Sequence, residues 1–167
     1  MKIREIALVA VFSAILFAGK EVLAFLPNVE IVTLFLIVIA ACYKFRISIS
    51  VCVIFSFLQL LIYGFNDWFF GYLIVFPIIV IIATLVSKKT TNELTFAIIA
   101  GIYGFLFDVP FAIIKGFLFG ANYMVTYFVA GLLFDIVHGV ANFIIVLFLF
   151  KPLYNLVNSH LKKFYNV

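Results

Sequence analysis

Six long apolar runs follow one another along this chain, and short polar connectors separate them. A helix needs about 20 mostly apolar residues to cross the hydrocarbon core of a bilayer, so polar residues mark where such helices end. The predicted spans are residues 4–26, 29–44, 47–64, 68–87, 93–118 and 128–150. We therefore expect an all-α integral membrane protein, a bundle of six transmembrane helices forming one domain over residues 1–167.

The composition excludes a water-soluble domain. Apolar residues make up 68% of the chain and charged residues 11%, whereas soluble domains have roughly 45–50% and about 25%. Lipid accepts bulky hydrocarbon on every side of a helix, which suits the 23 phenylalanines. The basic start at Met1–Glu5 leads into an apolar run without a small-residue cleavage site, so we interpret it as an uncleaved first helix rather than a signal peptide.

The basic residues predict the orientation, because Lys and Arg near helix ends are retained on the cytoplasmic side. With six spans, nine of the eleven basic residues fall on one side. These are Lys2, Arg4, Lys44, Arg46, Lys88, Lys89, Lys151, Lys162 and Lys163. Both termini are therefore expected in the cytoplasm, and the chain in the cell membrane as a multi-pass protein.

The other two basic residues, Lys20 and Lys115, fall toward the external side together with most of the acids. Those acids are Glu21, Glu30, Asp67, Asp108 and Asp135. Ionisable groups in membrane helices are expensive and usually face the bundle interior or a watery cavity. The outer half is therefore expected to contain a polar cavity, above a nearly charge-free inner half.

One face of the last span carries Asp135, His138 and Asn142 at positions i, i+3 and i+7. We expect this stripe to face the bundle interior and to bind a ligand. The alternative is an internal network in which Asp135 orients His138 and pairs with Lys20 or Lys115. Asp108 is a similar candidate, although the nearby Pro110 also explains a simple kink.

Two outer connectors supply further candidate binding residues. Asn28 and Glu30 follow the first span, and Asn66 and Trp68 surround the start of the fourth. Amide, carboxylate and indole groups at the rim of a cavity suit a polar, partly aromatic small molecule, although a lone Trp is often only a membrane-interface residue. Asn122 lies in the glycine-broken stretch 116–123, interpreted as a loop or short interfacial helix, and is also a candidate.

Ala10, Ala14 and Ala18 recur every fourth residue in the first span. Such small-residue stripes let another helix approach closely, either within the bundle or from a partner.

The helix number, this alanine stripe, the run from Gly19 to Glu30 and the block from Gly131 to Phe143 together resemble the substrate-binding S components of energy-coupling factor (ECF) vitamin transporters. The resemblance covers nearly the whole chain. It implies that Ala10, Ala14 and Ala18 dock on a transmembrane coupling subunit driven by two cytoplasmic ATPases. It also implies a vitamin-like substrate held near the external side, under the connectors after the first and third spans.

The connector around Asn28 and the Asp135/His138 stripe are most similar to branches that include cobalamin transporters. Folate, pantothenate, riboflavin and a queuosine precursor stay open as substrates. The acids beside Lys20 and Lys115 allow an anionic or a zwitterionic ligand, so charge does not discriminate between these.

We expect no enzymatic activity, cofactor, metal or nucleic-acid partner. The sequence has no recognisable nucleophile–base pair, His-Glu-x-x-His motif or Walker A loop. The alternative function is a stand-alone small membrane carrier, or a structural membrane protein with a closed polar network.

Overall fold

The computed structural model describes residues 1–27 and 29–161 of the chain as a bundle of α-helices, and these residues contain no strand. The helices are α1 (Ile3–Val22), α2 (Val32–Cys42), α3 (Phe45–Tyr63), α4 (Trp68–Ser87), α5 (Glu93–Phe105), α6 (Val109–Phe119) and α7 (Ala121–Leu156). A short π-helical segment, Val157–Leu161, continues α7.

Four helical segments of the described chain are long and apolar enough to cross a membrane. They are α3, α4, the stretch Glu93–Phe119 that contains α5 and α6, and the stretch that begins with α7. Large apolar side chains on these helices point outward, with Leu61 76% and Leu133 75% exposed. The expectation of an all-α fold is confirmed for the described residues. Lipid is the solvent that such surfaces suit, so the apolar helices are consistent with a membrane-spanning bundle.

The first helix is 20 residues long and carries its charges at its two ends, with Arg4 and Glu5 at one and Lys20 and Glu21 at the other. It packs mainly against α3. It ends at Val22, earlier than the expected residue 26, and turns continue the chain to Pro27. Its charged end therefore leads directly into the connector to α2.

The second helix forms the centre of the bundle. Nine of its 11 residues are buried, and it packs against α4 and α7. A helix that is apolar all round needs neighbours on every side, which this position provides. The predicted span 29–44 is too long: the helix runs from Val32 to Cys42, about 17 Å at 1.5 Å per residue.

The predicted span 93–118 is divided into two helices. Helix α5 ends at Phe105, and α6 begins at Val109 with Pro110 in its first turn. Proline lacks the N–H that would continue the hydrogen bonding of α5, and its ring clashes with the carbonyl four residues earlier. Residues 106–108 therefore form a turn that points toward α7.

The prediction of a loop or interfacial helix over 116–123 is wrong, because this stretch is the tight junction of α6 and α7. Gly120 has φ +94°, a left-handed conformation that suits glycine, and it separates the two helices alone. The last helix starts at Ala121 and ends at Leu156, much longer than the expected 128–150.

Helices α5 and α7 approach each other most closely at two glycines. A Cβ atom added to Gly104 would lie 2.7 Å from the Cα atom of Gly139. Position 104 therefore needs glycine for the backbones to pack at this distance, while a Cβ atom added to Gly139 would lie 2.7 Å from the Phe105 ring.

The basic residues of separate connectors meet at one end of the bundle, which we call the basic end. Glu5 interacts electrostatically with Lys44 and Arg46. Lys151 at the end of α7 donates a hydrogen bond of 3.5 Å to the carbonyl of Thr91. The opposite end carries the candidate binding residues, and we call it the polar end.

Candidate functional site

A cluster of four side chains joins α1, the connector before α2, α4 and α7. The ammonium of Lys20 donates a 2.7 Å hydrogen bond to the Tyr72 hydroxyl and lies 3.6 Å from Oε2 of Glu30. The other oxygen of Glu30, Oε1, lies 3.6 Å from Nε2 of His138. We call Lys20, Glu30, Tyr72 and His138 the central cluster.

The central cluster is largely shielded from the surroundings. The side chains of Lys20 and Glu30 are 17% and 14% exposed, and that of His138 is 4% exposed. His138 precedes Lys151 by about 20 Å along α7, at 1.5 Å per residue. A membrane span that ended near Lys151 would therefore place His138 within a hydrocarbon core of about 30 Å. Opposite charges in such a medium attract strongly, so Lys20 and Glu30 fix each other in place.

The stripe on α7 faces the bundle interior, as predicted. Asp135, His138 and Asn142 are 3%, 3% and 1% exposed. The Asn142 amide donates a 3.3 Å hydrogen bond to the hydroxyl of Thr33 in α2. The stripe therefore ties α7 to the connector through His138 and to the central helix through Asn142.

A second group of residues lies nearer the polar end. Lys115 of α6 forms an ion pair with Asp67, the residue before α4. Its ammonium also lies 5.6 Å from the centre of the Tyr127 ring. Trp68, Phe111 and Tyr127 line a pocket of about 150 Å³ beside this ion pair. We call it the tryptophan pocket.

Asp108 and Asp135 lie close together, where the turn between α5 and α6 meets α7. A Cβ atom added to Gly131 would lie 2.5 Å from Oδ2 of Asp108, so this carboxylate rests against α7 one turn before Asp135. The two carboxylates interact electrostatically with each other. Glycine at position 131 is what leaves room for Asp108.

Aromatic rings fill the space between the two groups. Tyr72 packs against Trp68 and Phe111, with ring centres 5.1 Å and 6.0 Å apart. Phe107 contacts Phe111 at 5.5 Å and the imidazole of His138 at 4.6 Å. The interior at this level is therefore an aromatic layer with polar groups at its edges.

The polar pockets are small in this conformation. One of about 170 Å³ lies beside Lys20, Glu30 and Tyr63, under five residues of the connector between α1 and α2. The tryptophan pocket is of similar size. Sites for drug-sized ligands occupy roughly 300–1,000 Å³. A vitamin would therefore fit only after the connector or the aromatic layer moves.

Some predicted site residues are not brought to these groups. Asn66 and Asn122 are exposed at the surface. The Asn66 side chain accepts a 2.7 Å hydrogen bond from the Asp67 backbone amide. Asn28 lies outside the described residues. Trp68 is half-buried and lines a pocket, which a purely interfacial tryptophan would not.

The predicted pairing of Asp135 with Lys20 or Lys115 is wrong. Lys20 pairs with Glu30, and Lys115 pairs with Asp67. His138 contacts Glu30 rather than Asp135, because the connector after α1 brings Glu30 into the bundle. Within residues 1–27 and 29–161, Asp108 and Asp135 have no ion pair.

Sequence reasoning did not single out Gln59 and Tyr103, which are buried, or Tyr72, which is half-buried. Gln59 is the only glutamine in the chain, is fully buried in α3, and its amide has no hydrogen-bond partner among the described residues. The Tyr103 hydroxyl is within electrostatic range of Glu30 and Tyr72. A lone amide in an apolar run was a usable signal; the tyrosines were hidden among many aromatic residues.

The alanine stripe of α1 is exposed. Ala10, Ala14 and Ala18 all lie on the outer face, next to the half-exposed Val11 and the 42% exposed Ile15. The stripe is therefore not used to pack α1 against the helices that the structure describes.

No group of three or more His, Cys, Asp or Glu residues in the described part of the chain could hold a metal ion. No protein-family model, curated protein or solved structure matches this chain.

Proposed function

We propose that this chain is a membrane-embedded substrate-binding subunit of an importer, of the kind found as S components in ECF transporters. It captures a vitamin or related micronutrient at the external face of the cell membrane. Delivery then depends on a transmembrane coupling subunit and two cytoplasmic ATPases. The chain crosses the membrane six times with both termini in the cytoplasm.

The observation that carries this proposal is the central cluster. A lysine and a histidine that each lie 3.6 Å from the same glutamate cost free energy to place inside a membrane protein. A bundle needing only stability would do as well with apolar residues of similar volume. The residues of the cluster come from α1, the connector, α4 and α7. A ligand bound there would therefore contact, or change the contacts between, all four segments.

The connector between α1 and α2 acts as the cover of the site. It lies over the 170 Å³ pocket and ends at Glu30, which belongs to the central cluster. Phe25 within it is 75% exposed. Outward movement of this short segment would enlarge the pocket without breaking a membrane helix. Glu30 and, in the first turn of α4, Trp68 would then contact the ligand.

The distribution of basic residues supports the orientation. The contact of Lys151 with Thr91 joins the end of α7 to the α4–α5 connector, and the proximity of Glu5 to Lys44 joins the start of α1 to the α2–α3 connector. A hydrogen bond from Cys42 to the carbonyl of Tyr154 brings these four segments to one end. Lys and Arg are retained on the cytoplasmic side. The central cluster would then open toward the exterior, where an imported nutrient arrives.

The alanine stripe supports a partner in the membrane. Ala10, Ala14 and Ala18 give α1 a smooth, exposed face, and close helix packing in lipid uses small residues. The coupling subunit would dock on this face and move the loaded protein as one body.

A stand-alone carrier or structural membrane protein is the second candidate. The internal pairing of Lys20 with Glu30 and of Lys115 with Asp67, together with the small pockets, favours a closed network. Such a protein would bind no vitamin and would purify without ATPases.

Ligand binding by the purified protein separates the two candidates. A panel of vitamins is screened by thermal shift, and the affinity of any hit is measured by calorimetry. We expect His138→Ala and Asp135→Ala to weaken binding by about tenfold or more, because each removes a buried polar contact. Glu93→Gln at the basic end is the matched control and should bind normally. Absence of any hit, or unchanged affinity in both alanine variants, would exclude this site.

A further inference from the structure

The tryptophan pocket has the features of a site for a positively charged nitrogen. The aromatic residues Trp68, Phe111 and Tyr127 line it together with Asp67, Ile114 and Lys115. Aromatic faces attract cations through their negative π-clouds. A cation already lies there: the Lys115 ammonium is 5.6 Å from the Tyr127 ring centre and paired with Asp67. The position of the Lys115 ammonium therefore indicates that this pocket accepts a positively charged nitrogen.

The negative charge around the pocket exceeds what Lys115 neutralises. The carboxylates of Asp67, Asp108 and Asp135 all act on the Tyr127 side chain. Lys115 is paired with Asp67, while the other nearby lysine, Lys20, is held by Glu30 and Tyr72. In the described part of the chain, two of the three carboxylates thus have no cationic partner.

The excess negative charge costs free energy at Asp135, because this residue is buried. It is 3% exposed, and its Oδ2 atom has no hydrogen-bond partner among the described residues. The carboxylate accepts a hydrogen bond from the backbone of Asp108 but has no cationic partner among the described residues. A buried carboxylate without a cationic partner carries a desolvation penalty, which a nearby cation offsets. No group of three or more acidic, histidine or cysteine side chains that could hold a metal ion occurs among the described residues.

We propose that the tryptophan pocket binds the head group of a small organic cation, a protonated or quaternary amine. Trp68, Phe111 and Tyr127 contact the nitrogen and its substituents, and Asp108 and Asp135 supply the negative potential. The ligand nitrogen competes with Lys115 for this position. The inference assigns a cationic substrate class to the proposed function. It rests on that function for the view that the pocket is part of the substrate site.

The single tryptophan of the chain provides the readout. The detergent-purified protein is titrated with choline and, separately, with 3,3-dimethylbutan-1-ol, its uncharged analogue of nearly the same shape. We expect a saturable change in Trp68 emission with choline and none with the alcohol. Equal responses to both compounds would overturn the assignment, since shape alone would then explain binding.

Three variants test the charges. Asp108→Asn and Asp135→Asn should each weaken choline binding by about tenfold, because a unit of negative potential is lost in a low-dielectric site. Glu93→Gln at the basic end serves as the control and should leave it unchanged. Lys115→Met removes the internal competitor and should strengthen binding, a gain that misfolding cannot produce.

The outcomes separate this inference from the proposed function, because the assay uses neither the coupling subunit nor a vitamin. A charge-selective response from a protein that captures no vitamin would retain the cation site and refute the transporter proposal. Vitamin capture without preference for choline over the alcohol would refute the cation site alone. Unchanged choline binding in Asp108→Asn, Asp135→Asn and Lys115→Met would also refute it.

Discussion

The carboxylate of Glu30 lies 3.6 Å from the ammonium of Lys20, although Lys20 lies in the last turn of α1 and Glu30 near the far end of the connector to α2. The ion pair closes this connector into a loop. Because Lys20 also donates a hydrogen bond to α4, the loop is fixed to the bundle at its base. Any movement that opens the pocket beneath it has to change this contact.

The Lys20–Glu30 pair should show strong thermodynamic coupling. Either Glu30→Gln or Lys20→Met leaves one shielded charge without its partner and should cost about 3–5 kcal/mol. The double variant removes both charges and should recover part of this loss, with a coupling free energy of about 1–3 kcal/mol. The unfolding free energies of the parent protein, the two single variants and the double variant, measured by SDS titration in mixed micelles, give this coupling free energy. Additive losses would show that the pair does not stabilise the loop.

The glycine contact between α5 and α7 should tolerate no side chain. Gly104→Ala places a methyl group against the backbone of Gly139, which no rotamer change can relieve, and should destabilise the protein by about 1–3 kcal/mol. In the matched variant Gly101→Ala, the nearest atom is the Phe143 Cβ at 3.3 Å. Its loss should be clearly smaller in the same SDS titration. Equal effects would contradict the close approach at position 104.

The exposed face of α1 should be required for assembly but not for ligand binding. Ala14→Trp places a large ring on the stripe and should abolish co-purification with a co-expressed coupling subunit and its ATPases. Leu61→Trp changes a 76% exposed residue of α3 and should leave co-purification intact. Normal assembly of the Ala14→Trp protein would exclude this face as the interface.

The proposed topology predicts which connectors can be labelled from outside the cell. Single cysteines are introduced at Asn66 and at Lys89, both exposed, in a background where Cys42 and Cys52 are alanine. A membrane-impermeant maleimide should label position 66 in intact cells and position 89 only after permeabilisation. Labelling of both positions from the same side would contradict a membrane-crossing α4, because the two positions lie at its opposite ends.

Hydrophobic runs predicted the helices well where polar residues end them sharply. The expected 68–87 matches α4, and 47–64 is within two residues of α3. The division at 106–108 was missed because an apolar run continues through it, and Pro110 was interpreted as a kink inside one helix. The local rule that proline starts helices would have given the boundary.

The central cluster was predictable only in part. The cost of intramembrane charges identified Lys20, Glu30 and His138 as interior residues, but the pairing depends on how the connector folds back, which residue spacing within one helix does not reveal. Tyr72 and Tyr103 were missed because hydroxyl groups in an aromatic-rich chain give no distinctive pattern.

Native mass spectrometry of the protein purified in detergent tests the central claim most directly. We expect a population heavier than the chain by the mass of one vitamin-sized molecule, and its loss in the His138→Ala variant but not in the Glu93→Gln control. If the measured mass is that of the chain alone, and does not increase when the protein is incubated with a vitamin panel, the result would contradict a substrate-binding role.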